Sequence, residues 1–169
     1  MDKITAYIVD DERLAIDVVC QLLNDFSEIE IVGTSIKSTE AVKTILRLKP
    51  QLLFLDIQMP GLNGFDVIEQ ILAVYSPTII FTTAFDEFAI RAFDVHAVAY
   101  LLKPLQRDKF AAAVQRAQES IRNATQETML LQLRALLSSE LHKPAQLQRI
   151  MIKEAKRIVY IPLTDILYF

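Results

Sequence analysis

Four consecutive apolar residues, Leu52 to Leu55, restrict this chain more than any other feature. A short run without polar alternation suits a strand buried on both faces, as inside a parallel sheet covered by helices. The run stops at Asp56, and Pro60, Gly61 and Gly64 follow, so the backbone turns there. Open parallel sheets bind ligands outside the carboxyl ends of their strands. Asp56 is therefore delivered to the edge where chemistry is usually done. Taken alone, such an aspartate better suits capping of the next helix.

The same alternation recurs on both sides. Ile4 to Val9 reads as a strand ending in Asp10-Asp11-Glu12. From Arg13 to Phe26, apolar residues fall at helical spacing: Leu14, Val18 and Leu22, with Ile16, Val19 and Leu23 beside them. Ile29 to Gly33 is a second strand. Ser38 or Thr39 can cap a helix from Glu40 to Leu48, which Lys49-Pro50 ends. After the Gly64 turn, Phe65 to Tyr75 reads as a helix closed by Ser76-Pro77. Thr78 to Thr82 is a β-branched fourth strand. A short helix from Glu87 to Phe93 precedes a fifth strand, Val98 to Leu102, which ends at Lys103-Pro104. Helix resumes at Asp108. Five alternations imply an α/β domain over residues 1–122, with a parallel sheet covered on both faces. Right-handed crossovers make it doubly wound.

Phe110 to Leu141 contains neither proline nor glycine, so the last helix runs on as a linker over residues 123–145. Leu130, Leu133, Leu137 and Leu141 form a stripe on it, with Leu131 and Leu136 outside. The stripe suits packing on its own domain and pairing with another helix equally well. His142-Lys143-Pro144 ends the rod. Within the tail, residues 146–169, Ile150 and Ile152 and then Ile158, Tyr160 and Ile161 alternate with polar residues on either side of Lys153 to Arg157, which reads as a β-hairpin. Pro162 breaks it, and Ile166 to Phe169 begins another apolar run. So few residues cannot bury a core alone, so this tail belongs to something larger or leans on the first domain.

Composition excludes several classes. With 52% hydrophobic residues in 169, the chain can bury a full core rather than stay disordered. No apolar run approaches the ~20 residues of a membrane helix. Met1 leads straight into a strand, without a signal peptide, and the expected location is cytoplasmic. Cys20 is the single cysteine, so no internal disulfide forms; it reads as a small core residue. A net charge of −3 gives no global sign of nucleic-acid binding. Only Gly33, Gly61 and Gly64 are present, which rules out a G-x-G-x-x-G dinucleotide loop.

Charged or hydroxyl groups stand at four strand ends: Asp10-Asp11, Asp56, Thr82-Thr83 and Lys103. A doubly wound sheet gathers such ends in one crevice. Three clustered carboxylates repel one another, and a hard divalent cation such as Mg²⁺ relieves that. A lysine opposite them suits a phosphoryl group, to which a threonine hydroxyl can donate. Beside Mg²⁺, an aspartate can attack phosphorus and become an acyl phosphate. Each signal has a plain alternative. Asp10-Asp11 can cap the first helix, Tyr100 can be an ordinary strand aromatic, and His96 has no cysteine or histidine partner at metal spacing.

Val9-Asp10-Asp11-Glu12, Leu55-Asp56-Ile57-Gln58-Met59-Pro60-Gly61, Thr83-Ala84 and Lys103-Pro104 occur in the order of a known family. The first 122 residues resemble a receiver domain of two-component response regulators. The stretches from Thr83 to Ala89 and from Ala99 to Pro104 are similar to receivers of the LytTR class. Ile152 to Tyr168 resembles the opening of a LytTR DNA-binding domain. The resemblance implies the flavodoxin-like strand order 2-1-3-4-5. It implies that Asp56 takes a phosphoryl group from a histidine kinase. Mg²⁺ would be held by Asp11, Asp56 and the Gln58 main-chain carbonyl, with Asp10 acting through water. Thr83 and Lys103 would bind the phosphoryl oxygens, Tyr100 would be the coupled rotamer switch, and the Lys103–Pro104 bond would be cis. Homodimerisation on phosphorylation is expected through the fifth strand and the helices flanking it. The intact protein would bind promoter DNA and control transcription, and this chain would bind it weakly or not at all. The chain would be no enzyme, with at most slow self-dephosphorylation, because Phe85 cannot orient water.

Two rivals use the same residues. A Mg²⁺-dependent aspartyl-phosphate phosphatase also has a strand-end aspartate, but needs an acid two residues on, where this chain has Gln58. An interaction module would keep the fold without the phosphorylation.

Overall fold

The computed structural model describes residues 3–85, 88, 95–141, 149–154 and 157–162, with side chains as far as residue 131. The chain divides into two compact units, Met1–Ala124 and Thr125–Phe169. In the first unit the elements are β1 (Ile4–Val9), α1 (Arg13–Leu23), β2 (Ile29–Ser35), α2 (Ser38–Leu48), β3 (Leu52–Leu55), α3 (Gly64–Leu72), β4 (Thr78–Thr83) and β5 (Ala99–Leu102). The helix α4 (Arg107–Leu141) starts there and continues into the second unit, which also holds β6 (Arg149–Glu154) and β7 (Arg157–Pro162). The expected helix from Glu87 to Phe93, Phe88 apart, and the run from Ile166 to Phe169 lie outside the described residues.

All five strands of the first unit are parallel, in the order β2-β1-β3-β4-β5. β3 is central, and each of its residues is fully buried. Its side chains alternate between the two sheet faces. Leu52 and Phe54 join a core with α1 and the start of α4, where Phe54 stacks on Phe110 at 5.5 Å between ring centroids. Leu53 and Leu55 join the opposite core with α2 and α3, where Phe65 meets Phe81 at 5.1 Å. The apolar run therefore reflects two cores, one on each side.

Several element limits differ from the sequence pattern. α1 ends at Leu23 rather than Phe26, because Phe26 turns back and donates its N–H to the Leu23 carbonyl at 2.9 Å. On α1, Ile16, Val19 and Leu23 are buried, whereas Leu14 is 78% and Val18 43% exposed. Ser38 does not cap α2. It is the first helical residue, Lys37 takes the N-cap position without a side-chain cap bond, and the Ser38 hydroxyl is engaged elsewhere. α3 is capped reciprocally. Asn63 accepts from Phe65 and Asp66, and Asp66 accepts from the Asn63 N–H.

In the second unit, β6 and β7 pair antiparallel from Arg149↔Pro162 to Glu154↔Arg157, as the alternation anticipated. Of the leucine stripe, Leu130 is exposed; the side chains of Leu133, Leu137 and Leu141 lie outside the described residues.

Two glycines shape the loop after β3. Gly61 turns at φ +89°, a region that L side chains disfavour. At Gly64, a Cβ would lie 2.5 Å from the Asp56 carbonyl oxygen and 3.0 Å from the Ile57 Cα. The start of α3 thus abuts backbone that cannot step aside. Gly64→Ala is expected to cost about 2–3 kcal/mol, read as a lower urea midpoint at unchanged m-value.

Candidate functional site

Parallel strands bring all their carboxyl ends to one edge. Val9 and Leu55 are register partners, and the Asp56 N–H donates to the Val9 carbonyl at 2.9 Å. Asp10 and Asp56 thus emerge side by side, where β2 and β3 lie on opposite sides of β1 and the connections diverge. The Lys103 N–H donates to the Thr83 carbonyl at 2.7 Å, tying the end of β5 to that of β4.

Asp10 and Asp56 are buried and Asp11 is exposed, yet one carboxylate oxygen of each lies within 4.8 Å of the others. Asp10 Oδ1 accepts from the Glu12 N–H at 3.0 Å, and Asp56 Oδ1 accepts from the Ile57 N–H at 2.7 Å. The Lys103 ammonium reaches both remaining oxygens, 2.8 Å from Asp10 Oδ2 and 3.3 Å from Asp56 Oδ2. Apart from this ammonium, Asp10 Oδ2 has no hydrogen-bond partner among the described residues. One cation faces three acids, so the cluster carries a surplus of negative charge.

Burial, the largest influence, pushes the carboxyl of Asp56 up; Lys103 opposes this and the charge of Asp10 adds to it. Burial likewise raises Asp10 against the pull of Lys103. For Lys103, burial alone would lower the ammonium, but the hydrogen bonds and charges of the two aspartates outweigh it, and it stays raised.

The acids open into a hollow of roughly 520 Å³ lined by Asp11, Asp56, Gln58, Phe85, Lys103 and Pro104, among others. The Lys103–Pro104 peptide bond is cis. Thr83 is fully buried at the end of β4, and its Oγ1 accepts from the Phe85 N–H at 3.3 Å. The hydroxyl of half-buried Tyr100 donates to the Phe85 carbonyl. Asp10, Asp11, Asp56 and Lys103 therefore meet directly, while Thr83 and Tyr100 are joined through the main chain of Phe85. That joint is invisible in the sequence, because backbone groups carry no residue signature. A second groove, sharing Glu12, Lys103 and Pro104 with the hollow, is lined by exposed Leu14 and Val18 together with Leu105.

Residues 6–115 match the response regulator receiver domain family. The chain belongs to that family. It is 38% identical over 155 residues to an uncharacterized response regulatory protein of Shewanella oneidensis, covering 92% of this chain and 65% of the relative. It is 41% identical over 116 residues to the transcriptional regulatory protein BtsR of Salmonella typhi, covering 69% of this chain and 48% of BtsR. The response regulatory domain of protein mrkE from Klebsiella pneumoniae superposes with a TM-score of 0.66 at 32% identity, over 70% of this chain and 98% of that one. The chain thus spans under two thirds of the length of the curated relatives it resembles. Among the described residues, no helix of the receiver domain is long and apolar enough to cross a membrane.

Receiver domains hold Mg²⁺ in an acidic pocket, and the residues here fit that ion. Three carboxylate oxygens converge, and a single lysine leaves the local charge negative.

Raised carboxyl groups mean that the native state holds protons more readily than the unfolded chain, so ionising them at higher pH costs stability. In metal-free buffer, Asp56→Asn is expected to stabilise the receiver by about 1–2 kcal/mol at pH 7. The gain should shrink as the pH falls toward the ordinary carboxylate range, where Asp56 is already protonated. Urea titrations of both proteins across that range check the sign.

Proposed function

We propose that this receiver is the phosphorylation-controlled switch of a two-component system, with Asp56 as the acceptor. The observation that carries the reading is Asp56 at the carboxyl end of β3, sharing the Lys103 ammonium with Asp10 beside exposed Asp11. An Asp56 carboxylate oxygen would attack the phosphorus of a kinase phosphohistidine. The P–O bond forms as the P–N bond breaks; the ring nitrogen keeps that electron pair and leaves as neutral imidazole, the other ring nitrogen of the phosphohistidine carrying the proton. Lys103, now paired with the two aspartates, would turn to the new phosphoryl oxygens. Asp11, Asp56 and the Gln58 main-chain carbonyl would hold Mg²⁺, with Asp10 behind them. When bound, the ion supplies the positive charge that lets carboxylate and phosphoryl oxygens approach each other.

Incubation with acetyl phosphate and Mg²⁺ should place one phosphoryl group on the peptide containing Asp56, read by mass spectrometry, and none on the Asp56→Asn chain. Failure to label Asp56 would favour a phosphorylation-independent interaction module. Catalytic turnover of small phosphomonoesters would favour the phosphatase reading instead.

The phosphoryl group would draw the Thr83 hydroxyl toward it, away from the Phe85 N–H. Tyr100, tied to the same residue, would shift with it. The surface that would read this out is β5 and the first turns of α4, around Tyr100, Asp108, Lys109 and Arg116. Homodimerisation there, passed along α4, would act on a LytTR-type DNA-binding region of which residues 146–169 are the beginning. BtsR, by its name a transcriptional regulator, supports that direction. The intact protein would be a cytoplasmic transcription factor.

A kinase must bring its phosphohistidine to the mouth of the hollow, so its surface must also cover the groove beside it. Leu14 and Val18 offer apolar contact there. Leu14→Asp is expected to slow transfer from a kinase that labels the parent chain by about ten-fold, while labelling by acetyl phosphate stays unchanged.

A further inference from the structure

Ser38 sits at the start of α2, 1% exposed, in a place where the sequence suggests a helix cap. Its hydroxyl points across to the loop after β3. It donates to the Pro60 carbonyl at 3.1 Å and accepts from the Leu62 N–H at 3.1 Å. Both capacities of one hydroxyl are thereby used, and they bracket the Gly61 turn. The anchor is firm because Ala41, Val42 and Ile45 of the same helix lie in the core.

The other end of this loop is fixed as well. The Ile57 N–H donates to Asp56 Oδ1 at 2.7 Å, and the Gly64 N–H donates to the Ile57 carbonyl at 2.8 Å. Gln58 and Met59 lie between these two anchors. On one side they are held by the Gly64 bond to Ile57, on the other by the Ser38 bond to Pro60. A bridge made by side chain alone can be removed without altering any backbone group. A point substitution at Ser38 therefore addresses this anchor without touching the proposed ion ligands.

We infer that Ser38 is a positioning residue for the ion site: its hydroxyl holds the Pro60–Leu62 turn, and so sets where the Gln58 main-chain carbonyl stands relative to Asp56. The inference rests on the phosphoacceptor reading, in which that carbonyl is a ligand. Partners one layer behind a metal ligand fix its orientation and govern affinity more than they govern the fold. Ser38 would therefore act on ion binding, and only through it on phosphoryl transfer.

Isothermal titration calorimetry of Mg²⁺ into the full chain tests this without any phosphorylation. Ser38→Ala should weaken Mg²⁺ binding by about ten-fold, and Ser38→Thr, which keeps the hydroxyl, should recover most of the loss. Val114→Ala opens a cavity in the opposite core and should lower the melting temperature while leaving Mg²⁺ affinity at the parent value. At saturating Mg²⁺, labelling of Ser38→Ala by acetyl phosphate should return to the parent rate. A folded Ser38→Ala chain with parent affinity overturns the assignment. So does an equal loss in Val114→Ala, which would make the effect one of general stability. If the parent binds Mg²⁺ no better than Asp56→Asn does, the phosphoacceptor reading itself falls, and this inference with it.

Discussion

One ammonium, that of Lys103, stands between two buried carboxylates, 2.8 Å from Asp10 and 3.3 Å from Asp56. The arrangement is costly. Ions removed from water lose several kcal/mol of hydration each, and one cation cannot balance two neighbouring anions and a third at 4.8 Å or less. A core built for stability alone would hold no such cluster. The rest of the domain makes it tolerable by holding strand ends that cannot spread apart. β1, β3, β4 and β5 are locked in parallel register, and the residues just beyond them have nowhere else to go.

That locking comes from two cores rather than one. Phe54 and Phe110 on one face, and Phe65 and Phe81 on the other, clamp the same four-residue central strand from both sides. The sheet can therefore end abruptly in polar groups without fraying, because the clamps lie directly below them. Close packing continues into the loop. Gly64 lets the start of α3 touch the backbone at Asp56, and Ser38 reaches over from α2 to tie the far side of the turn. The phosphoacceptor proposed here stands at the point where apolar packing gives way to an open hollow. There a charge is buried enough to be reactive and exposed enough to be reached.

Much of this was legible beforehand. The runs of β1, β3 and β4 were visible because strands covered on both faces lose their polar alternation. The order of acids, threonine and lysine at their ends is plain in the sequence, and the family resemblance implies the strand order. What the sequence obscured has physical causes. Leu14 and Val18 fit the helical spacing of α1 as well as Ile16 and Val19 do, yet they face outward, since apolar spacing marks a broad stripe and not its buried half. Ser38 looked like a cap because serine before a helix usually is one, whereas its hydroxyl found partners more than twenty residues away. Phe85 joins Thr83 to Tyr100 through its main chain, which no side-chain pattern can announce.

The sequence by itself determined the alternation of strands and helices, the parallel sheet, and the chemical kinds of group that reach its edge. Those follow from local periodicity and from where apolar runs stop. Only the tertiary structure decided that Asp10 and Asp56 share Lys103 and that a serine of α2 braces the loop after β3. Such facts depend on distances between segments remote in the chain, and packing sets those distances.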